Sequence, residues 1–184
     1  MIDSRQASEA LSEINEIVRR VRQSTIYNLA SLMLVAWGIM IFAGNLAEWA
    51  WPRCGGYIWI TVNLLGVLVS AVISTFGYRR TGVRAFDLRM LTALLLFFAF
   101  GIFCSSVLGH FTPRQMGTFW PIYSMLFYIL AGLWFGGAFV AIGVGITALT
   151  LIGYFFAKGD IFLLWMALVC GGGLIVGGLW MRRN

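Results

Sequence analysis

The chain has 184 residues, of which 60% are hydrophobic and only 11% are charged, and its formal net charge is +6. A soluble domain is about one quarter charged and about half apolar, so this composition excludes a soluble globular enzyme and predicts an all-α integral membrane protein. The positive charge is almost entirely arginine at the ends of apolar segments, which the positive-inside rule explains without a nucleic-acid partner.

Residues 1–24 form a polar segment that carries a regular apolar stripe. The stripe is spaced by three and four residues and includes Leu11, Ile14, Val18 and Val21. This spacing predicts an amphipathic cytoplasmic helix, and because no glycine or proline follows, the helix is expected to run on into the first span. The stripe has three alternative roles: packing on the cytoplasmic loops of its own chain, lying on the bilayer with its arginines at anionic headgroups, or docking a partner helix or a second copy.

Residues 25–184 contain six segments of the length that a membrane-spanning helix needs, about 20 apolar residues. The 43 residues between Arg114 and Lys158 carry no charge, which is twice one span, and Gly136 and Gly137 are the natural turn between its halves. The six-transmembrane-helix bundle is predicted at residues 25–44, 57–78, 88–109, 117–135, 138–157 and 161–181. Pro121 is thereby placed in the first turn or so of the fourth span, where proline is tolerated.

The distribution of basic residues predicts the orientation. With six spans, ten basic residues share the side of both termini: Arg5, Arg19, Arg20, Arg22, Arg79, Arg80, Arg84, Arg89, Arg182 and Arg183. Three lie on the other side: Arg53, Arg114 and Lys158. This asymmetry places both termini in the cytoplasm. The size and layout are typical of small multi-helix proteins of bacteria, so the expected location is the bacterial cell inner membrane.

Polar residues inside the predicted spans are few. No ionisable residue lies in a span away from its ends, which argues against proton-coupled or sodium-coupled transport. Asn63 in the second span either lines a pore or forms a hydrogen bond to another helix. His110, the only histidine, either ligates a pigment magnesium or a metal shared with a partner, or is a solvated interfacial residue. No other cofactor and no metal or catalytic residue is predicted, and bound membrane lipid is expected.

Small residues spaced by four predict where helices approach closely. Three such pairs lie in the last three spans: Gly132 with Gly136, Ala141 with Gly145, and Gly173 with Gly177. The glycine triplet at residues 171–173 has two interpretations. It either packs closely against a neighbouring helix or breaks the sixth span so that free carbonyls bind an ion.

The sequence contains none of the motifs G-x-x-x-x-G-K, H-E-x-x-H and G-x-S-x-G, and enzymatic activity is not expected. The expected function is that of a non-catalytic accessory, assembly or regulatory subunit, whose partners are other membrane protein subunits or further copies of the chain. The alternative is a small-solute channel or facilitator without proton coupling, with a pore lined by hydroxyl groups and Asn63.

Overall fold

The computed structural model describes residues 4–81 and 88–183, and every regular element in these two stretches is helical. The helices are α1 (Ser4–Ala50), α2 (Gly55–Thr81), α3 (Leu88–Phe103), α4 (Pro113–Phe135), α5 (Gly137–Phe156) and α6 (Ile161–Arg183). A 3₁₀ turn, Pro52–Cys54, precedes α2. Two π-helical segments are present in the described residues: Cys104–Leu108 follows α3, and Ala167–Gly172 lies within α6.

Five helices, α1 from Tyr27 onward and α2, α4, α5 and α6, are long and apolar enough to cross a membrane. The described apolar stretch Thr92–Val107, which comprises most of α3 and most of the π-helical segment after it, is shorter than a full span. The described residues therefore have the character of an all-α membrane protein, and the count of six spans stays a prediction.

The start of α4 differs from the sequence-based prediction because a capping box fixes it. Thr112 Oγ1 accepts a hydrogen bond from the Gln115 backbone N–H, and Gln115 Oε1 accepts one from the Thr112 backbone N–H at 2.9 Å. These bonds satisfy two N–H groups at the helix end, so α4 begins at Pro113 and not at residue 117. Pro121 then lies in the helix interior, and its predicted placement in the first turn was wrong.

The end of α1 also lies beyond its predicted boundary at residue 44, since the helix continues to Ala50. Glu48 therefore lies in the last turn of α1. Its Oε2 accepts a hydrogen bond from Trp59 Nε1 of α2 at 2.8 Å. A Cβ placed at Gly55 would lie 3.0 Å from Glu48 Oε1, so the carboxylate sits beside the amino end of α2, where the helix dipole favours negative charge.

The core is formed by α1, α6, α5 and α4, which pack as neighbours in that order. Leu34, Met125, Ile146, Met166 and Leu174 fill its centre, each at most 4% exposed. Half of the α6 span is buried, whereas only 6% of the α2 span is. The helices α2 and α3 are therefore peripheral.

The helix α3 is attached to α4 through aromatic rings. Phe97 stacks on Tyr123 with ring centroids 4.1 Å apart, and Tyr123 Oη donates a hydrogen bond to the Phe97 carbonyl at 2.9 Å. A Cβ at Gly101 would lie 3.1 Å from the Trp120 ring, so the glycine leaves room for it. Side chains, more than close backbone contact, hold α3 at the edge of the bundle.

The closest helix contact in the core is the crossing of α1 and α6. A Cβ added at Gly171 would lie 2.5 Å from Phe42 Cβ, and one at Gly38 would lie 2.8 Å from the Gly171 carbonyl oxygen. Two turns along α6, Ser31 Oγ donates a buried hydrogen bond of 2.6 Å to the Gly178 carbonyl. The glycine triplet at residues 171–173 thus lies in a continuous helix, whose π-helical segment ends at Gly172, and α6 is not broken there.

Candidate functional site

The structure brings two of the predicted small-residue pairs together on one surface. Ala141 and Gly145 of α5 and Gly173 and Gly177 of α6 line an apolar groove of about 250 Å³ that opens outward. We call it the α5–α6 groove. No atom lies within 4 Å of a Cβ placed at Gly145, so this side of the groove is open.

The floor and walls of the α5–α6 groove come from larger side chains. A Cβ at Gly173 would lie 3.0 Å from Ile146, and one at Gly177 would lie 2.8 Å from Ile142, so α5 packs against α6 along these glycines. Val176 and Trp180 of α6 flank the opening and are 67% and 45% exposed. Almost every lining atom is apolar, so the groove suits a hydrocarbon occupant.

A tryptophan fills the same helix–helix surface beyond the groove. Trp165 Nε1 donates a hydrogen bond to the Leu149 carbonyl at 2.9 Å. The Trp165 ring lies against Gly153, where a Cβ would meet it. The groove therefore ends near Leu149, about two thirds of the way along α5, and does not continue to the other end of the helix.

The remaining small-residue pair lies at the turn between α4 and α5. A Cβ at Gly132 would lie 2.8 Å from the backbone nitrogen of Val140, so this glycine permits close approach of α5. Gly136 has a φ of 131°, a conformation that favours glycine, and it faces the Tyr27 hydroxyl of α1. Gly136 serves the turn and its contact with α1, while Gly132 serves helix packing.

Asn63 lies on the exposed surface of α2. Its Nδ2 donates a hydrogen bond of 2.8 Å to the Trp59 carbonyl, one turn earlier in the same helix. Within the described part of the chain, its second N–H and its Oδ1 have no protein partner. Thr61, also exposed, bonds in the same way to the Tyr57 carbonyl at 2.9 Å. Asn63 thus makes no bond to another described helix and faces outward from the bundle.

His110 lies in the loop between α3 and α4. It is exposed and has a φ of 39°, an uncommon value for a residue other than glycine. Among the residues that the structure describes, no three His, Cys, Asp or Glu side chains come together as a metal site would require.

The amino-terminal stripe cannot be placed on a surface. The backbone of Leu11, Ile14, Val18 and Val21 belongs to α1, which is one helix from Ser4 to Ala50. Their side chains lie outside the described residues, so the three alternatives for the stripe stay open.

Arg114 has a role that the sequence analysis did not identify. Its guanidinium donates hydrogen bonds to the carbonyls of Tyr154, at 2.6 Å, and Ala157, and it lies 4.9 Å from the centre of the Phe162 ring. These contacts join the amino end of α4 to the carboxyl end of α5, where unpaired carbonyls and the helix dipole favour a cation. A lone arginine after an unassigned loop gave no signal for this contact.

The fold defines a class, an all-α protein with membrane-spanning helices. Compared with protein-family models, with curated proteins and with solved structures, the chain has no match.

Proposed function

We propose that this protein is a non-catalytic accessory, assembly or regulatory subunit of a membrane protein complex, and that its partner docks on α2. The proposed location is the bacterial inner membrane with both termini in the cytoplasm, from the ten-to-three asymmetry of basic residues. The partner is another membrane protein or a further copy of the chain.

The observation that carries this proposal is the outward amide of Asn63. In a bilayer the hydrophobic effect does not drive helices together, so polar groups and close packing do so. One N–H of the Asn63 amide donates to its own helix, so the side chain retains a second N–H donor and the Oδ1 acceptor among apolar neighbours. Its neighbours on the same face, Ile60 and Val67, are 60% and 62% exposed and would pack beside a docked helix.

The position of α2 in the bundle also favours its outer surface as the docking site. The helix is peripheral, and one side of it contacts α1: Trp37 Nε1 donates to Ser70 Oγ at 3.0 Å, and Gly66 lies against the Trp37 ring. The rest of its circumference is available to a partner within the membrane.

The packing of the core favours a subunit over the alternative channel. Leu34, Met166 and Met181 are each at most 2% exposed where the core helices meet. A solute path through a single protomer would have to displace these side chains. Asn63 lies outside that core, so a channel that used it would have to form between protomers.

The experiment is a matched pair of substitutions on α2. Asn63→Leu removes the outward amide, while Thr61→Val removes a hydroxyl with the same local bonding two residues away, on nearly the opposite face of the helix. Complexes extracted from native membranes in mild detergent are measured by native gel and mass spectrometry. We expect Asn63→Leu to lose a stoichiometric partner while melting like the unmodified protein, and Thr61→Val to keep it. Retention of the partner by both variants, or the absence of any stoichiometric partner, would contradict the proposal.

A further inference from the structure

At its end nearest the carboxyl terminus, the α5–α6 groove is followed by a positively charged side chain. On α6 the exposed residues Val176, Trp180 and Arg183 follow one another at spacings of four and three, which places them on one face of the helix. Val176 and Trp180 line the groove. Arg182, one residue away, is turned by about 100° to a different face of the helix.

The groove is no longer than one leaflet of a bilayer. From Trp180 to Gly173 the lining of α6 covers seven residues, which at 1.5 Å per residue is on the order of 10 Å. The hydrocarbon core is about 30 Å thick, so one leaflet is about 15 Å deep. The groove begins beside a tryptophan and an arginine, the residue types found at the membrane surface, and its α6 lining ends at Gly173, in the middle of the Ile161–Arg183 span.

We infer that the α5–α6 groove binds one phospholipid with an anionic headgroup. An acyl chain lies between Gly145 and Val176 on the apolar lining, and the headgroup phosphate, which no ammonium group of the same lipid neutralises, pairs with the guanidinium of Arg183. The shape selects a lipid over a helix, because a spanning partner helix extends through both leaflets whereas the groove lining lies within only one half of the α6 span. The charge selects an anionic lipid, because Arg183 is the cation that continues the groove face.

The test is binding of phosphatidylglycerol and of phosphatidylcholine with the same acyl chains to the purified full-length protein in detergent, measured by native mass spectrometry. The unmodified protein is expected to bind one phosphatidylglycerol about fivefold more tightly than phosphatidylcholine, which is the size of effect of one arginine near a membrane surface. Arg183→Gln should remove this preference, and Arg182→Gln should keep it.

A second pair of variants tests the apolar part. Gly145→Phe places a ring in the open groove and should weaken binding of both lipids at least tenfold, while Val144→Phe, on another exposed face of α5, should not. If Arg182→Gln and Arg183→Gln weaken the preference for phosphatidylglycerol equally, general surface charge explains the preference and the inference is overturned. Unchanged lipid binding in Gly145→Phe would also overturn the inference. A loss of oligomers in that variant would overturn it as well, because the groove would then be the docking site of a second copy. Arg183 is exposed, so its variant tests the inference even if Gly145→Phe does not fold.

Discussion

Replacing Gly171 by alanine places a methyl group at the point where α1 and α6 touch. The new Cβ would lie 2.5 Å from Phe42 Cβ and 2.7 Å from the Phe42 backbone nitrogen. Non-bonded carbon atoms are normally about 3.5–4.0 Å apart, so the two helices have to separate by about 1 Å or more at this point. The neighbour is backbone and Cβ, which cannot move aside as a flexible side chain does.

Three contributions set the size of the effect. Overpacking of a close contact costs about 1–3 kcal/mol. Separation of the helices also stretches the bond from Ser31 to the Gly178 carbonyl, now 2.6 Å long, and a hydrogen bond between membrane helices contributes about 0.6 kcal/mol on average. Alanine in place of glycine returns up to about 1 kcal/mol of helix propensity. The expected net loss in the free energy of unfolding is about 0.5–2.5 kcal/mol.

The assay is reversible unfolding in mixed micelles, and the neighbouring residue supplies the control. No atom lies within 4 Å of a Cβ placed at Gly172, so Gly172→Ala should leave stability unchanged or raise it by up to about 1 kcal/mol. The two adjacent substitutions should therefore change stability in opposite directions. If Gly171→Ala is as stable as Gly172→Ala, the reasoning about the α1–α6 crossing is refuted.

Three further predictions concern the contacts of Arg114, the topology and transport. Arg114→Gln should lower the free energy of unfolding by about 1–2 kcal/mol in the same assay. A charge-assisted bond contributes about 1.5–3 kcal/mol, and the loss is smaller here because this guanidinium is only partly buried. The control is Lys158→Gln, which should leave the free energy of unfolding unchanged because Lys158 is exposed. Reporter fusions after Asn184 should report the cytoplasm and fusions near Arg53 the opposite side, and an external report from a fusion at Gly136 would refute the division of the uncharged stretch. Any solute flux in reconstituted vesicles should be passive, because no ionisable residue lies in a predicted span away from its ends. Accumulation of a solute that is lost when the proton gradient is collapsed would contradict this prediction.

The sequence predicted the class and the turn between α4 and α5 because both depend on local composition. An uncharged stretch too long for one span needs a turn, and Gly136 adopts the positive φ that the turn requires. The start of α4 was also visible in principle, since Thr112-Pro113-Arg114-Gln115 has the spacing of a capping box. It was missed because helix ends in a membrane protein were placed by hydropathy alone.

The sequence could not predict which faces of the helices meet. Lipid and protein interior are both apolar, so the hydrophobic period that marks a buried face in a soluble helix carries little information here. The small-residue pairs visible in the sequence lie within single helices, whereas the crossing of α1 and α6 uses Gly38 from α1 with Gly171 and Gly178 from α6. For the same reason the sequence left open whether Asn63 faces a pore or a neighbouring helix, and it did not predict that the side chain faces outward.

The π-helical segment Ala167–Gly172 sets the rotational phase of everything after it in α6. A π turn holds one more residue than an α turn of similar rise, and one residue corresponds to about 100° around the axis. Deleting a single residue in this segment would let it rewind as α-helix and turn the following part of α6 against the part before it. Gly177 would then turn away from Ile142 of α5, and a different face of α6 would lie opposite α1. The number of residues in the segment Ala167–Gly172 therefore constrains the packing of the bundle as strongly as the identity of its side chains does.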